Sequence, residues 1–167
     1  KKVRSQTYLP IATGERLYGA SEYREIWAEG SVDIIQPDIT QCGGIFETKK
    51  IASTAEIYSI MVAPHNVGGV VSTLAALHLC FTLRNTKILE HFNDFADTYV
   101  KETANFYPEV QGGFFNLPDK PGWGVELNED FILAHPPEKN EKGLMLDPGL
   151  NMFVNAEWAQ RGQGGNT

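Results

Sequence analysis

The sequence predicts an α/β fold with a parallel sheet, because short strand-like runs alternate with helix-like segments. Four runs each close on an ionisable residue: Ile11–Glu15, Asp33–Asp38, Ile60–His65 and Thr86–Glu90. Successive closing residues are 23, 27 and 25 positions apart, about the length of a strand with its returning helix. The carboxyl ends of parallel strands converge, so we expect the four ionisable side chains to share one face of the molecule.

The first connecting segment is short. Ser21 is predicted to cap a helix that Gly30 ends, because serine suits an N-cap and glycine suits the left-handed position after a helix. Residues at helical spacing predict its buried face, namely Tyr23, Ile26 and Trp27.

The next two connecting segments are longer. A helix is predicted from about Ile45 to Tyr58 after the loop Thr40–Gly44, and another from about Val70 to Leu83 after the glycine pair Gly68–Gly69. Neither Gly43–Gly44, at the end of the first of these loops, nor Gly68–Gly69 matches a phosphate-binding fingerprint. Both pairs are interpreted as tight turns between strand and helix.

Alternation within the four runs predicts which side chains share a face. A period of two places apolar or small residues below each polar terminus, in the rows Ile11–Thr13–Glu15, Ile34–Gln36–Asp38, Met61–Ala63–His65 and Ile88–Glu90. This pattern is typical of a packed barrel interior with a reactive rim.

The chain has 167 residues, whereas a complete eight-fold barrel needs roughly 250. We therefore expect half of a (β/α) barrel, a piece of a longer protein that is inactive alone. The predicted divisions are a half barrel at 1–105, a return segment with a hairpin or loop pair at 106–137, and an irregular tail at 138–167.

Composition narrows the classes of function. The net charge of −7 argues against a nucleic-acid-binding protein, and no apolar run approaches the roughly 20 residues of a membrane span. Cys42 and Cys80 follow no metal or redox spacing, so free thiols and a cytoplasmic location are expected. We also expect a homo-oligomer.

Five sequence segments, taken in order, carry a family resemblance. They are PIATGERLYG (Pro10–Gly19), SVDIIQPDITQCGGI (Ser31–Ile45), VAPHNVGG (Val62–Gly69), KILEHF (Lys87–Phe92) and LPDKPGWGVELNEDFI (Leu117–Ile132). Together the segments resemble the mandelate racemase/muconate lactonizing enzyme family of the enolase superfamily, and within it the galactonate-dehydratase-like acid-sugar dehydratases. The resemblance implies that the runs are strands five to eight of a TIM-type barrel, and that the last segment leads toward a capping domain absent from this chain.

The resemblance also implies roles for four residues. Glu15 matches the last of three carboxylate ligands of Mg²⁺, and the other two ligands are expected on strands that this sequence lacks. Asp38 and His65 match an Asp–His dyad in which imidazole is the general base or acid. Glu90 matches a carboxylate that hydrogen-bonds the substrate carboxylate or its enolate.

The chemistry fits these residue types. Removing a proton next to a carboxylate creates an enolate, whose charge a hard cation stabilises. Histidine titrates near neutral pH, and an aspartate on its far nitrogen fixes the tautomer and favours the imidazolium. A histidine or lysine base with Mg²⁺ is the general pattern of enolase-superfamily sites.

Three functions remain open from the sequence. The leading hypothesis is a Mg²⁺-dependent dehydratase acting on a sugar acid. A racemase, epimerase or cycloisomerase would use the same enolate, and a non-catalytic half barrel or assembly module would use none. Arg16 and Asn66 border the predicted site, where contact with substrate and loop anchoring are equally open. His78 is interpreted as a packing residue, and His135 is given no role.

Overall fold

The computed structural model describes residues 1–92 and 99–136, in which three short parallel strands alternate with helices. The strands are β1 (Ala12–Thr13), β2 (Ile34–Ile35) and β3 (Met61–Val62), in the spatial order β1-β2-β3. Ala12 pairs with Ile34, and Ile34 pairs with Met61 on its other side. The predicted α/β order and parallel sheet are confirmed.

The fourth predicted strand is reduced to one pairing. Thr86 forms a single parallel bridge with Val62. Around it, the Val62 N–H donates to the Asn85 carbonyl at 2.8 Å, and the Lys87 N–H donates to the Val62 carbonyl at 2.7 Å. The run Thr86–Glu90 therefore lies beside β3 in the expected direction.

The first helix begins differently from the prediction. A 3-10 helix (Ala20–Tyr23) follows Gly19 and leads into α1 (Arg24–Glu29) without a side-chain cap, so the prediction that Ser21 caps the helix is wrong. The Glu22 carboxylate instead accepts a hydrogen bond from the Tyr18 N–H at 2.7 Å. Gly30 ends α1 in the left-handed conformation with φ of 55°, as predicted.

The two long helices are α2 (Gly44–Ile57) and α3 (Val70–Phe81), which begin within one residue of their predicted starts. Helix α3 ends before the predicted Leu83, because both the backbone N–H and the hydroxyl of Thr82 donate to the Leu79 carbonyl. These bonds satisfy a carbonyl that the helix would otherwise leave free.

The core lies between the sheet and its helices. Ile35 and Val62 alternate with Ile34 and Met61 along their strands and are fully buried against Tyr23 and Ile51. Trp27 stacks between Tyr23 and Tyr58, with ring centroids 5.5 and 5.8 Å apart. These contacts pack helix α1 against the core on the helical side of β1, the strand that precedes Glu15.

The other face of the sheet is open. Ile34 and Met61 are only half-buried, Thr13 is exposed, and Ile88 is 63% exposed. These residues belong to the rows that the sequence places in a barrel interior. Ala63 of the same rows is buried, so the described residues cover that face only in part.

A 3-10 helix (Arg4–Gln6) precedes β1, and the described residues after the fourth run contain two short helices and two antiparallel bridges. Helix α4 covers Tyr99–Glu102, and the bridges join Ala104 to Leu127 and Gln111 to Phe114. The hairpin or loop pair expected in the return segment stays a prediction.

The chain divides into two units, Lys1–Leu127 and the residues from Asn128 onward. In the second unit, the Asn128 side chain caps α5 (Glu129–Ala134) by accepting from the Phe131 N–H at 3.2 Å. The predicted tail at 138–167 lies outside the described residues, and the predicted domain boundaries stay a prediction. None of the helices in residues 1–92 and 99–136 is long and apolar enough to cross a bilayer.

Candidate active site

The predicted site residues lie just beyond the carboxyl ends of neighbouring strands. Glu15 follows β1 by two residues, whereas Asp38 and His65 follow β2 and β3 by three. A parallel bridge between Asp38 and His65 continues the sheet to the level of these two side chains. The strand period therefore places all three on one edge of the sheet.

Asp38 and His65 form a close pair. The His65 Nδ1 lies 2.8 Å from the Asp38 Oδ2, and the side chains are 16% and 6% exposed. An ionised carboxylate can only accept hydrogen bonds, so Nδ1 carries the proton of a neutral His65. The imidazole Nε2 then has a free lone pair, as a general base requires.

Residues of the following loop complete the contacts of Asp38. Its Oδ1 accepts from the Thr40 N–H at 2.8 Å and from the Thr40 hydroxyl at 2.6 Å, and its Oδ2 accepts from the Gln41 amide at 3.1 Å. Burial of the carboxylate raises the pKa of Asp38, but the hydrogen bonds from Thr40 and His65 outweigh it and hold that pKa below its usual value. Asp38 is thus ionised at neutral pH.

Glu15 lies on the other side of the imidazole. Its Oε2 is 3.5 Å from the His65 Nε2, and its Oε1 is 3.5 Å from the Arg16 Nε. The Glu15 side chain is 52% exposed. Both contacts are long for hydrogen bonds, so the carboxylate oxygens remain available to a further ligand.

Glu90 is connected to the site through the backbone of Asn66. One Glu90 carboxylate oxygen, Oε2, accepts from the Asn66 N–H at 3.0 Å, and Asn66 follows His65 directly. Among the described residues, Glu90 forms no hydrogen bond or ion pair with Glu15, Asp38 or His65. The structure brings the first three together directly and places Glu90 beside them through Asn66.

The Glu15 carboxylate suits one position around Mg²⁺, which prefers oxygen ligands in an octahedral arrangement. Residues 1–92 and 99–136 contain no group of three His, Cys, Asp or Glu side chains that could hold a metal ion. Of the predicted ligands, the described residues thus supply one carboxylate whose oxygens could bind the metal, that of Glu15.

Other polar residues considered from the sequence have structural contacts. The Arg16 side chain is largely exposed, and its Nε lies 3.5 Å from the Glu15 Oε1. His78 packs edge-on against Trp123, in agreement with its interpretation as a packing residue. His135 belongs to the second unit, where it stacks on Phe131. Asp94, a neighbour of Glu90 in sequence, lies outside the described residues.

The sequence did not identify Thr40 and Gln41 as partners of Asp38. Their signal was the T-Q following the aspartate, since a threonine two residues after an aspartate commonly bonds back to the carboxylate. For Asn66 the structure favours loop anchoring, because its side chain is buried and bonded to protein groups.

A cleft of about 300 Å³ lies at the opposite, amino-terminal ends of the strands. Its lining includes Arg4, Asp33 and Lys87. The Arg4 guanidinium donates to the Asp33 carboxylate at 2.9 Å, and the other Asp33 oxygen accepts from the Ile11 N–H at 2.9 Å. Arg4 and the Ile11 N–H thus satisfy both oxygens of the Asp33 carboxylate.

Comparison with known proteins gives relatives over most of the chain. The sequence profile of the family described as "Enolase C-terminal domain-like" matches residues 1–131. Two curated relatives are both named D-galactonate dehydratase. The protein of Pectobacterium atrosepticum is 39% identical over 139 residues, covering 79% of this chain and 36% of the relative. That of Cronobacter sakazakii is 37% identical over 140 residues, covering 80% and 36%.

A solved structure agrees with the sequence relatives. The mandelate racemase/muconate lactonizing enzyme of Jannaschia sp. CCS1 is 34% identical, with a TM-score of 0.77 over 87% of this chain and 36% of that one. The chain spans about a third of the length of the curated relatives that it matches.

Proposed function

The chain belongs to the enolase C-terminal domain-like family, and from that premise we propose that it forms half of the (β/α) barrel of a Mg²⁺-dependent acid-sugar dehydratase. The observation that carries the proposal is the imidazole of His65, held by Asp38 at Nδ1 and directed toward Glu15 at Nε2. The names of the relatives, D-galactonate dehydratase, support a sugar acid as the substrate class.

His65 would act first as the base. Its Nε2 takes the proton from the carbon next to the substrate carboxylate, and Asp38 stabilises the imidazolium that results. Asp38 itself keeps its charge, because Thr40, Gln41 and His65 all donate to it. In the Asp38–His65 pair, the transferred proton is therefore taken up and released at one atom, the His65 Nε2.

Glu15 would hold the metal together with ligands from the remaining strands of the barrel. Bound Mg²⁺ supplies a Lewis acid that stabilises the negative charge developing on the substrate carboxylate. Glu90 would hold the same carboxylate by a hydrogen bond, which requires a proton shared between the two carboxyl groups. Both roles are predictions from the resemblance that the positions of the side chains support.

The second proton transfer would release water. The C3–O bond of the substrate breaks, the leaving hydroxyl takes the proton from the His65 Nε2, and an enol remains. The enol converts to a 2-keto-3-deoxy acid, so one water is lost and the imidazole is neutral again. The same histidine thus serves as base and then as acid.

The test uses the protein expressed from its natural reading frame, with Mg²⁺, against a library of aldonic and aldaric acids. We expect a 2-keto-3-deoxy product and exchange of the α-proton in D₂O. His65→Asn should lower both rates by roughly 10²- to 10⁴-fold, the usual contribution of a general base. The matched control is His78→Asn, the same change at a histidine outside the site, which should retain both rates.

Other results would redirect the proposal. Exchange of the α-proton without loss of water would make the protein a racemase or epimerase, and isomerisation would make it a cycloisomerase. Absence of exchange with every acid would favour a non-catalytic module. Unchanged rates in His65→Asn would overturn the assigned base. The expected homo-oligomer is checked by light scattering on the same preparation.

A further inference from the structure

We propose that Asn66 is a positioning residue that fixes Glu90 beside His65 at the carboxyl edge of the sheet. The inference deepens the proposed function, since it concerns the placement of a carboxylate that the dehydration would use. It rests on the burial and the hydrogen bonds of Asn66.

Asn66 forms two hydrogen bonds with Glu90. Its backbone N–H donates to the Glu90 carboxylate at 3.0 Å, and its side-chain amide donates to the Glu90 backbone carbonyl at 3.1 Å. One bond orients the carboxylate and the other holds the main chain that carries it. Since Asn66 follows His65 directly, the position of Glu90 is tied to the position of the imidazole.

The amide of Asn66 also contacts helix α3. Its Nδ2 donates to the Thr73 hydroxyl at 3.1 Å, and its Oδ1 accepts from the Ser72 hydroxyl at 3.2 Å. Both amide hydrogens and the amide oxygen are therefore engaged. With Asn66 only 1% exposed, its side chain acts through Glu90 and not through direct contact with substrate.

The backbone hydrogen bonds between β3 and the fourth run end before Glu90, and the bonds from Asn66 continue the connection. The backbone hydrogen bonds joining β3 to the fourth run are centred on Val62, and the last in the chain direction comes from Lys87. Beyond it, the bonds from Asn66 are those that connect the end of β3 to Glu90 within the described residues. Without the amide, only the bond from the Asn66 backbone would remain.

Two variants separate the bond to Glu90 from the contact with α3. Asn66→Ala removes both. Asn66→Asp keeps an acceptor for the hydroxyls of Ser72 and Thr73 but has no N–H for the Glu90 carbonyl. Both should lower kcat/KM roughly 10- to 100-fold, mainly through kcat, because small displacements of a catalytic group raise the barrier more than they weaken binding.

Asn85 supplies a matched control. It is also a buried asparagine whose Nδ2 donates to two backbone carbonyls, those of Ala52 and Ile60, each at 3.0 Å. It lies at the other end of the same pair of strands. Asn85→Ala should lower Tm about as much as Asn66→Ala while leaving kcat and KM near wild type.

A second measurement is independent of activity. In thermal unfolding, Asn66→Ala and Glu90→Ala should combine non-additively, because they remove adjacent bonds between the same two residues: the amide bond to the Glu90 carbonyl and the carboxylate bond to the Asn66 N–H. Asn85→Ala and Glu90→Ala should add. This coupling remains measurable even if the protein dehydrates no sugar acid, so the two proposals fail separately. Additive Tm shifts for Asn66 and Glu90, wild-type kinetics in Asn66→Asp, or an equal kinetic loss in Asn85→Ala would overturn the assignment.

Discussion

Asp38 shows how one buried side chain can remain charged. A carboxylate out of water is costly unless its oxygens are satisfied, and here two loop side chains, one loop N–H and one imidazole donate to it. The neutral hydrogen-bond donors hold the charge whether or not His65 is protonated. This lets the imidazole gain and lose a proton while its partner keeps both charge and orientation.

The lowered pKa of Asp38 predicts a specific dependence of stability on acid. A carboxyl group whose pKa is lower in the folded than in the unfolded state stabilises the fold above its unfolded pKa of about 3.9, and this contribution is lost as the pH falls through the lower folded pKa. Asp38→Asn lacks that contribution. The Tm difference between wild type and Asp38→Asn should therefore be fully present above about pH 4 and shrink as the pH falls below it, as measured by circular dichroism. A difference that stays constant with pH would contradict the assignment.

Gly14 precedes the predicted metal ligand and leaves no room for a side chain. Its φ is 127°, and a Cβ would lie 3.0 Å from the Tyr23 hydroxyl and 3.2 Å from the Gln36 backbone nitrogen. The Tyr23 hydroxyl donates to the Gly14 carbonyl at 2.8 Å, and burial raises the pKa of Tyr23 so that it stays a donor.

Gly14→Ala should thus destabilise the protein by about 1–3 kcal/mol and displace Glu15. The measurement is the urea midpoint of unfolding. Gly113→Ala is the matched control, because Gly113 also has a positive φ, 87°, but open space around it. Equal losses in the two variants would mean that backbone strain alone, and not the approach of Tyr23, restricts position 14.

At the scale of the element, hydrogen bonds join the end of the loop between β2 and α2 to the first turns of α2. Thr48 is fully buried in the first turns of α2, where its hydroxyl donates to the Gly44 carbonyl at 2.7 Å and lies 2.9 Å from the Cys42 sulfur. The loop that carries Thr40 and Gln41 is therefore held at its far end.

Thr48→Val removes that hydroxyl with little change in shape and should cost about 0.5–1.5 kcal/mol, the usual net contribution of a buried hydrogen bond. Thr54→Val is the control on the same helix, because the Thr54 hydroxyl also bonds four residues back, to the Lys50 carbonyl at 2.9 Å, but near the surface. Its cost should be close to zero. Chemical denaturation of both variants decides, and a loss in Thr54→Val as large as in Thr48→Val would refute the argument.

For the whole molecule, the open face of the sheet is the feature with the largest consequence. Ile88 is 63% exposed, yet it precedes Glu90 by two residues and so belongs to the inward row of a (β/α) barrel. If the barrel is completed in the natural protein, that side chain becomes buried.

Ile88→Asn in the protein expressed from its natural reading frame should then cost about 2 kcal/mol or more, because a polar amide would enter an apolar interior. Ile57→Asn is the matched control: Ile57 is 82% exposed at the end of α2, and changes at such surface positions stay within about 0.5 kcal/mol. Equal and small shifts in Tm would show that the face stays open.

The parts of this fold that depend on local chemistry could be predicted from the sequence. The strand period predicted that Glu15, Asp38 and His65 would share an edge, and Gly30 ended α1 because glycine adopts a positive φ without strain. Ser21 failed as a cap because the chain enters the helix through Gly19 and a 3-10 turn. The bonds from Thr40 and Gln41 to Asp38 are local, whereas those from Asn66 to Glu90 depend on how loops from different strands meet in space, which no local pattern encodes.

The stack of Tyr23, Trp27 and Tyr58 contains a tryptophan whose fluorescence can report on the loop after β1. Trp27 lies between the rings of Tyr23 and Tyr58, and Tyr23 in turn holds the carbonyl just before Glu15. Once Trp123 and Trp158 are replaced by phenylalanine, the emission spectrum comes from this single indole. Its wavelength and quenching would then follow any rearrangement of the Glu15 loop when a divalent cation is added, with no substrate in the cuvette.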